Sequence, residues 1–262
     1  MHKERLDVLL TERGLAESRS QAQGLIMAGQ VRVNGQVELK PATKVALDAP
    51  IDLDQGPRFV SRGGEKLEGA FEAFEWDVEG RVCADVGAST GGFTDCLLQH
   101  GAMKVYAIDV GYGILHWKMR TDPRVVSMER TNARFVEGLP EPVSRVTVDA
   151  SFISLHILLP VIRAWLPEQG GEMVALIKPQ FEAGREEVAR GEGVIHDPEI
   201  HRKVLRTVLE SALGDGYFVN GLIRSPLKGP KGNTEFLVWL TTEPQSDIDV
   251  QVRIDELMKE EE

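Results

Sequence analysis

The stretch from Val82 to Asp95 limits the possible folds of this chain more than any other. Val82-Cys-Ala-Asp-Val86 is a short apolar run, Gly87-Ala-Ser-Thr-Gly91-Gly92 turns it, and Phe93-Thr-Asp-Cys-Leu-Leu continues with helical spacing. A strand that passes through a glycine-rich loop into a helix is the ligand-binding corner of an open, doubly wound sheet. The pattern around it keeps alternating. Helices are predicted near 65–76, 92–100, 155–166 and 198–213, and strands at 82–86, 104–109, 145–149, 173–178, 217–224 and 235–241. That alternation predicts an α/β fold with a mostly parallel, Rossmann-like sheet covered by helices on both faces.

The loop narrows the ligand. A dinucleotide site wants glycine two residues after Gly87, where Ser89 stands, and a P-loop wants Gly-Lys-Ser/Thr, which is absent. Asp85, just ahead of the loop, would repel a pyrophosphate but suits a ligand that carries an ammonium group. S-adenosylmethionine has that ammonium, a carboxylate for the loop around Gly87, Ser89, Thr90, Gly91, Gly92 and Phe93, and a ribose that needs an acceptor. Asp109, 24 residues after Asp85 at the end of the next strand, is placed to accept from the ribose hydroxyls. The expected cofactor is therefore S-adenosylmethionine; the alternative is a glycine turn in some other α/β protein.

Charge and cysteine usage bound the remaining classes. The net charge of −11 argues at first against a nucleic-acid partner. It is unevenly spread, however: residues 1–62 hold nine Lys/Arg against eight Asp/Glu, whereas 243–262 hold two against eight. Two cysteines, Cys83 and Cys96, are too few for a disulfide framework, and both read as small buried apolar residues. No Cys/His spacing along the chain resembles a zinc site, so no metal is expected. No window approaches the ~20 apolar residues of a membrane span, and the N-terminus lacks a signal peptide's apolar core. The expectation is a cytoplasmic protein without a membrane partner.

The first 50 residues form a pattern of their own. Arg5-Leu-Asp-Val-Leu-Leu10 and Ser18-Arg-Ser-Gln-Ala-Gln-Gly-Leu-Ile26 predict two short helices, and Gln30-Val-Arg-Val-Asn34-Gly35-Gln-Val predicts a hairpin across an Asn-Gly turn. Lys3, Arg5, Arg19 and Arg32 gather in this small α+β module. They either meet a phosphate backbone or are ordinary solvated charges. Residues 49–65, with Pro50, Pro57 and Ser61-Arg-Gly-Gly64, read as a linker.

Candidate chemistry lies at the strand ends. Amino-group methyltransferases carry Asn/Asp-Pro-Pro-Tyr/Phe after the fourth strand, where this chain has Asp149-Ala-Ser-Phe152, and base-carbon methylation needs a nucleophilic cysteine that neither Cys83 nor Cys96 supplies. Instead Asp149 closes one strand and Lys178 closes the next in Leu176-Ile-Lys-Pro179. A lysine closing a buried strand is costly without a partner or a purpose. Spacing alone leaves salt bridge and catalytic pair equally open. The basic loop Arg224-Ser-Pro-Leu-Lys228-Gly-Pro-Lys231-Gly-Asn leads into Glu235, which makes Lys228 and Lys231 candidate phosphate contacts. Residues 184–193 read as a lid or a solvated loop.

Several of these segments together resemble one family. Val60-Ser-Arg-Gly-Gly-Glu-Lys66-Leu, Asp85-Val-Gly-Ala-Ser-Thr-Gly-Gly-Phe-Thr-Asp95, Ile177-Lys-Pro-Gln-Phe-Glu182 and Ser225-Pro-Leu-Lys-Gly-Pro-Lys-Gly-Asn-Thr-Glu-Phe236, preceded by the helix-helix-hairpin module, resemble the TlyA (haemolysin A) family of ribosomal RNA methyltransferases. The resemblance runs from about residue 3 to 242. It implies an S-four-type RNA-binding domain and linker over 1–60, an FtsJ-like S-adenosylmethionine-dependent methyltransferase domain over 61–242, and an acidic tail over 243–262. It also implies that Lys66, Asp149, Lys178 and Glu235 form the Lys-Asp-Lys-Glu tetrad of ribose 2′-O-methyltransferases, and that the partner is ribosomal RNA or a ribosomal subunit. In those roles Lys178 is general base or hydroxyl-orienting residue, Asp149 its orienter, and Lys66 and Glu235 the outer pair that positions the ribose. A non-catalytic RNA-binding or ribosome-assembly protein that kept the fold is the second class. A membrane-active toxin, suggested only by the haemolysin label, is the third, and the missing apolar segments count against it.

Overall fold

The computed structural model describes residues 2–54, 56–245 and 248–259. The chain separates after Arg58 into two compact units.

The first unit contains β1 (Lys3–Arg5), α1 (Leu6–Glu12), α2 (Arg19–Met27), β2 (Val31–Val33), β3 (Gln36–Val37), β4 (Lys44–Ala46) and β5 (Ile51–Leu53). Ser18 starts α2 by accepting a hydrogen bond from the Gln21 N–H. Asn34 and Gly35 both adopt positive φ, the geometry a two-residue hairpin between β2 and β3 requires. Leu6, Leu9, Leu10, Ala22, Ile26 and Val31 close a small core. One carboxylate is buried beside it: Asp7 is fully covered and accepts from Arg5, Arg19 and Gln23.

In the second unit the order is α3 (Gly63–Ala73), β6 (Val82–Val86), α4 (Gly92–Gln99), β7 (Lys104–Ile108), α5 (Trp117–Thr121), β8 (Val125–Met128), β9 (Arg145–Val148), α6 (Leu155–Arg163), β10 (Glu172–Ile177), α7 (Pro179–Glu182), α8 (Arg185–Arg190), α9 (Pro198–Gly214), β11 (Phe218–Arg224), β12 (Phe236–Thr241) and α10 (Val250–Lys259). Seven strands form one sheet in the order β11-β12-β10-β9-β6-β7-β8. Pairing is parallel from β10 to β8 and antiparallel on both sides of β12. Central strands covered on both faces carry near-continuous apolar runs, and β10 is buried at every residue. Its alternate side chains divide between two cores: Met173, Ala175 and Ile177 pack with α6, α9 and α10, while Val174 and Leu176 pack with α3 and α4.

Two expectations are corrected here. The acidic stretch 243–262 is not simply a tail, because Ile254, Leu257 and Met258 of α10 are buried in the core that α9 also covers. Average charge hid a short amphipathic stripe. Between Asp109 and Arg145, where the apolar pattern predicts no element, the chain forms α5 and β8. A short, half-exposed strand at a sheet edge carries little apolar signal.

Candidate active site

Topology brings the four candidate catalytic residues to one edge of the sheet. Asp149 directly follows β9 and Lys178 directly follows β10, two neighbouring parallel strands. Glu235 directly precedes β12, whose antiparallel register pairs Ile177 with Phe236 and so sets Glu235 beside Lys178. Lys66 reaches the same place from the first half of α3.

Two ion pairs result. Lys178 Nζ lies 2.5 Å from Asp149 Oδ1, a contact between charges whose angles make no hydrogen bond, and donates to Ser151 Oγ at 3.0 Å and to the Asp149 carbonyl at 3.3 Å. Lys66 Nζ donates to Glu235 Oε2 at 2.6 Å, and both are buried. Gln180 ties into the second pair through Nε2, which donates to Glu235 Oε1 at 3.1 Å. A carboxylate only accepts, so this contact fixes the amide orientation. The carbonyl Oε1 of Gln180 is then buried without a hydrogen-bond partner among the described residues. All six residues line one cavity of about 520 Å³, whose wall also includes Phe152 and Phe181. Phe152 is 90 % exposed at a φ of +63°, a conformation an aromatic residue rarely adopts, and its ring stands 5.0 Å from that of Phe181.

The glycine loop adjoins this cavity on the other side of Asp149. A cleft of about 360 Å³ has apolar walls at Ile108, Val110, Ile114 and Leu158 and polar groups at Asp109, Thr131 and Asn132. A second cleft of about 300 Å³ is lined by Ser89, Thr90, Gly92 and Phe93 together with Arg62, Lys66 and Lys228. The three cavities share Gly87, Ser89 and Asp149.

These residues fit S-adenosylmethionine. Gly87 has a φ of +84°, and a Cβ there would stand 2.7 Å from the Asp149 carbonyl; at Gly91, with a φ of +94°, it would meet Met119 and Leu115. Gly91 lines neither cleft, and its part is the turn itself. The Asp109 carboxylate accepts from the N–H groups of Ser89 (2.8 Å) and Gly111 (2.7 Å). A carboxylate has about four acceptor positions, so room remains for a vicinal diol. The apolar walls suit an adenine ring, and Arg62 and Lys228 supply positive charge for a carboxylate.

One cofactor assignment has to be moved. Asp85 lines none of the three cavities: its side chain is fully buried, with Thr94 donating at 2.6 Å and Thr147 at 3.1 Å. Burial pushes its carboxyl up to about 7. Through these two hydrogen bonds it ties the start of α4 to the sheet. Inside a central strand a side chain points to one face of the sheet, and both faces are covered here. Asp149 is the acidic residue common to all three cavities.

The basic residues differ in their surroundings. Arg5 and Arg19 both pair with Asp7 at 3.0 Å while remaining substantially exposed, and Arg32 stands 3.8 Å from Asp54. Lys3 is exposed on β1. Lys228 and Lys231 line cavities of the second unit that also contain Lys66 and Asp149. Residues the sequence reading had not singled out are Arg62, Ser151, Gln180, Phe181, Thr131 and Asn132. Gln180 and Phe181 follow Lys178 directly, so their place in a matched segment was the available signal. Glu182 in that segment is structural, because it accepts from Ser154 Oγ and the Leu155 N–H at the start of α6.

Comparison with known proteins agrees with this geometry. Residues 59–242 match the family model for FtsJ-like methyltransferases, and residues 4–51 match the S4 domain. The 16S/23S rRNA (cytidine-2'-O)-methyltransferase TlyA of Mycobacterium tuberculosis is 47% identical over 243 residues, which cover 91% of this chain and 90% of that protein. Hemolysin A of Brachyspira hyodysenteriae is 45% identical over 236 residues, 89% of this chain and 98% of that protein. A solved structure of a Streptococcus thermophilus protein that carries a hemolysin label superposes with a TM-score of 0.74 at 45% identity, covering 99% of this chain and 96% of that one. Fold, site and matches define an FtsJ-like methyltransferase with an N-terminal S4 domain. Within that class, the chain belongs to the TlyA (hemolysin A) family. Among the described residues no helix is long and apolar enough to cross a membrane.

Proposed function

We propose that this protein transfers a methyl group from S-adenosylmethionine to a ribose 2′-hydroxyl of ribosomal RNA, taken as RNA or within a ribosomal subunit in the cytoplasm. The observation that carries the reading is the pair of lysine–carboxylate contacts in one cavity that shares Asp149 with the glycine-loop clefts. The name of the mycobacterial relative points to cytidine as the nucleotide.

When bound, S-adenosylmethionine supplies an electrophilic methyl group on a positively charged sulfur. Asp109 and the loop from Gly87 to Phe93 would hold it, with Arg62 and Lys228 supplying positive charge for its carboxylate. A ribose hydroxyl is a poor nucleophile, and the chain has to align it and remove its proton. In its amine form Lys178 takes that proton as the oxygen–hydrogen bond breaks and the methyl passes from sulfur to oxygen, and Asp149 steadies the resulting ammonium. Lys66 and Glu235 position the ribose, and Gln180 holds Glu235 in place. Phe152 at the cavity mouth offers a ring on which a displaced base can stack. In the first unit, Arg5 and Arg19 are braced by Asp7 yet keep donors for phosphate oxygens.

The test is methyl transfer from labelled S-adenosylmethionine to ribosomal RNA and to isolated subunits. Incorporation is expected with the unaltered chain and lost when Lys178→Ala and Asp149→Ala are combined. Incorporation that survives the double change overturns the mechanism.

A further inference from the structure

Glu68, Cys96 and His100 come together away from the catalytic edge, on the contact between α3 and α4. Cys96 and His100 are one helical turn apart at the end of α4, so both face α3, where Glu68 meets them. Cys96 Sγ lies 3.6 Å from Glu68 Oε2, His100 Nε2 lies 2.8 Å from the same oxygen, and the three ligand-type atoms are all within 4.8 Å of one another. The His100 ring is held flat against Phe71, with centroids 3.7 Å apart and planes 4° from parallel. Phe71 stands one turn after Glu68 on α3, so one face of that helix supplies both a ligand and the brace for a second one.

We propose that these three side chains form a site for a zinc-type divalent cation. The donor set is one sulfur, one imidazole nitrogen and one carboxylate oxygen. That combination suits zinc or cobalt, whereas calcium and magnesium prefer oxygen alone. Metal–ligand distances of about 2.0–2.3 Å at tetrahedral angles place ligand atoms roughly 3.3–3.6 Å apart. The sulfur–oxygen separation already meets this, the nitrogen–oxygen separation has to open by about half an ångström, and the sulfur–nitrogen separation, within 4.8 Å, has to settle into the same range as the hydrogen bond gives way to a shared ion. Cys96 is fully buried, while the side chains of Glu68 and His100 keep 16% and 28% of their exposure, which gives an ion an entry path and leaves a fourth position for water. On binding, the Cys96 sulfur exchanges its proton for the metal, the proton leaves to solvent, and His100 contributes the Nε2 lone pair. Spacing along the chain gave no hint, because one ligand comes from a different helix than the other two. The ion joins α3, which carries Lys66, to α4, which opens at the cofactor loop, and takes no part in methyl transfer.

Cobalt titration of the full, tag-free chain after chelator treatment tests the site. Expected is one cobalt ion per chain with a thiolate-to-cobalt absorption band, displaced by zinc and unchanged in Cys83→Ser. Cys96→Ser should abolish the band, and His100→Gln should weaken binding at least about 100-fold, more than loss of an outer partner typically costs. The unaltered chain decides the matter even if a variant fails to fold: no thiolate band at saturating cobalt overturns the proposal. A band that persists in folded Cys96→Ser, or that is lost in folded Cys83→Ser, also overturns it.

Discussion

Strands β9 and β10 carry an ion pair at each end, and the two pairs behave differently. At the starting edge, Arg145 Nη2 meets Glu172 Oε1 at 2.9 Å, with both side chains buried. Arg145 also donates to the carbonyls of Asp77, Ser144 and Gly170, and Glu172 accepts from Trp239 Nε1. That pair is enclosed by partners and lines none of the three catalytic cavities. At the finishing edge, Lys178 and Asp149 meet at 2.5 Å and line a cavity whose wall also includes Gln180, with a side-chain carbonyl that has no hydrogen-bond partner among the described residues. A charge pair whose hydrogen bonds are completed by its surroundings holds structure; one that borders a void with an unmet acceptor is arranged for something that arrives later.

Substitutions at the two ends should separate these roles. Lys178→Arg keeps the positive charge but cannot give up its proton at any working pH. Methyl transfer is expected to fall about 10³-fold, within the range that loss of a general base typically costs, while thermal unfolding shifts by only a few degrees. A Lys178→Arg protein that retains more than a tenth of the activity would mean that Lys178 orients the hydroxyl without taking its proton. Glu172→Ala should do the reverse, leaving Arg145 buried without its carboxylate and costing roughly 3–5 kcal/mol in denaturant unfolding. Turnover per folded molecule should stay near that of the unaltered chain.

Asp85 lies between these cases, inside the sheet yet next to the loop. Its carboxyl is raised from 3.8 to about 7 by burial, so the folded protein binds this proton more tightly than the unfolded chain. The associated stability is complete below pH ~4 and is lost as pH rises through 7, a change of about 4 kcal/mol at most. Asp85→Asn should flatten the pH dependence of the melting temperature between pH 4 and 7 and leave cofactor binding within a few-fold. A large loss of cofactor affinity in a well-folded Asp85→Asn protein would restore the assignment of Asp85 to the cofactor site.

How much was legible follows from where the residues lie. The glycine loop and Asp109 sit at strand ends, where order along the chain translates directly into position. Asp149 and Lys178 are at strand ends too, and Lys66 and Glu235 came from their order within the matched segments. Asp85 was misplaced because its partners, Thr94 and Thr147, come from a helix and a neighbouring strand that spacing does not relate to it. Gln180 went unassigned because its significance is an unmet hydrogen bond, which only packing reveals. α10 was missed because three buried apolar residues are too few to stand out among acids. In the first unit the arginines read either as phosphate contacts or as solvated charges, and only packing reveals the buried acceptor that aligns two of them, Asp7.

The smallest effect is expected there. Arg19→Gln should weaken RNA binding only two- to threefold at moderate salt and reduce the slope of log affinity against log salt by about one. An unchanged slope would place Arg19 outside the RNA contact and leave it as a brace for Asp7.

The most direct measurement of the central claim is the chemical position of the added methyl group. Ribosomal RNA or subunits lacking the modification would be incubated with S-adenosylmethionine and either the unaltered chain or Lys178→Ala, then digested and mapped nucleotide by nucleotide. A 2′-O-methyl ribose formed by the unaltered chain and absent with Lys178→Ala is the predicted result. A methyl group on a base, or ribose methylation that Lys178→Ala still performs at full rate, would contradict it.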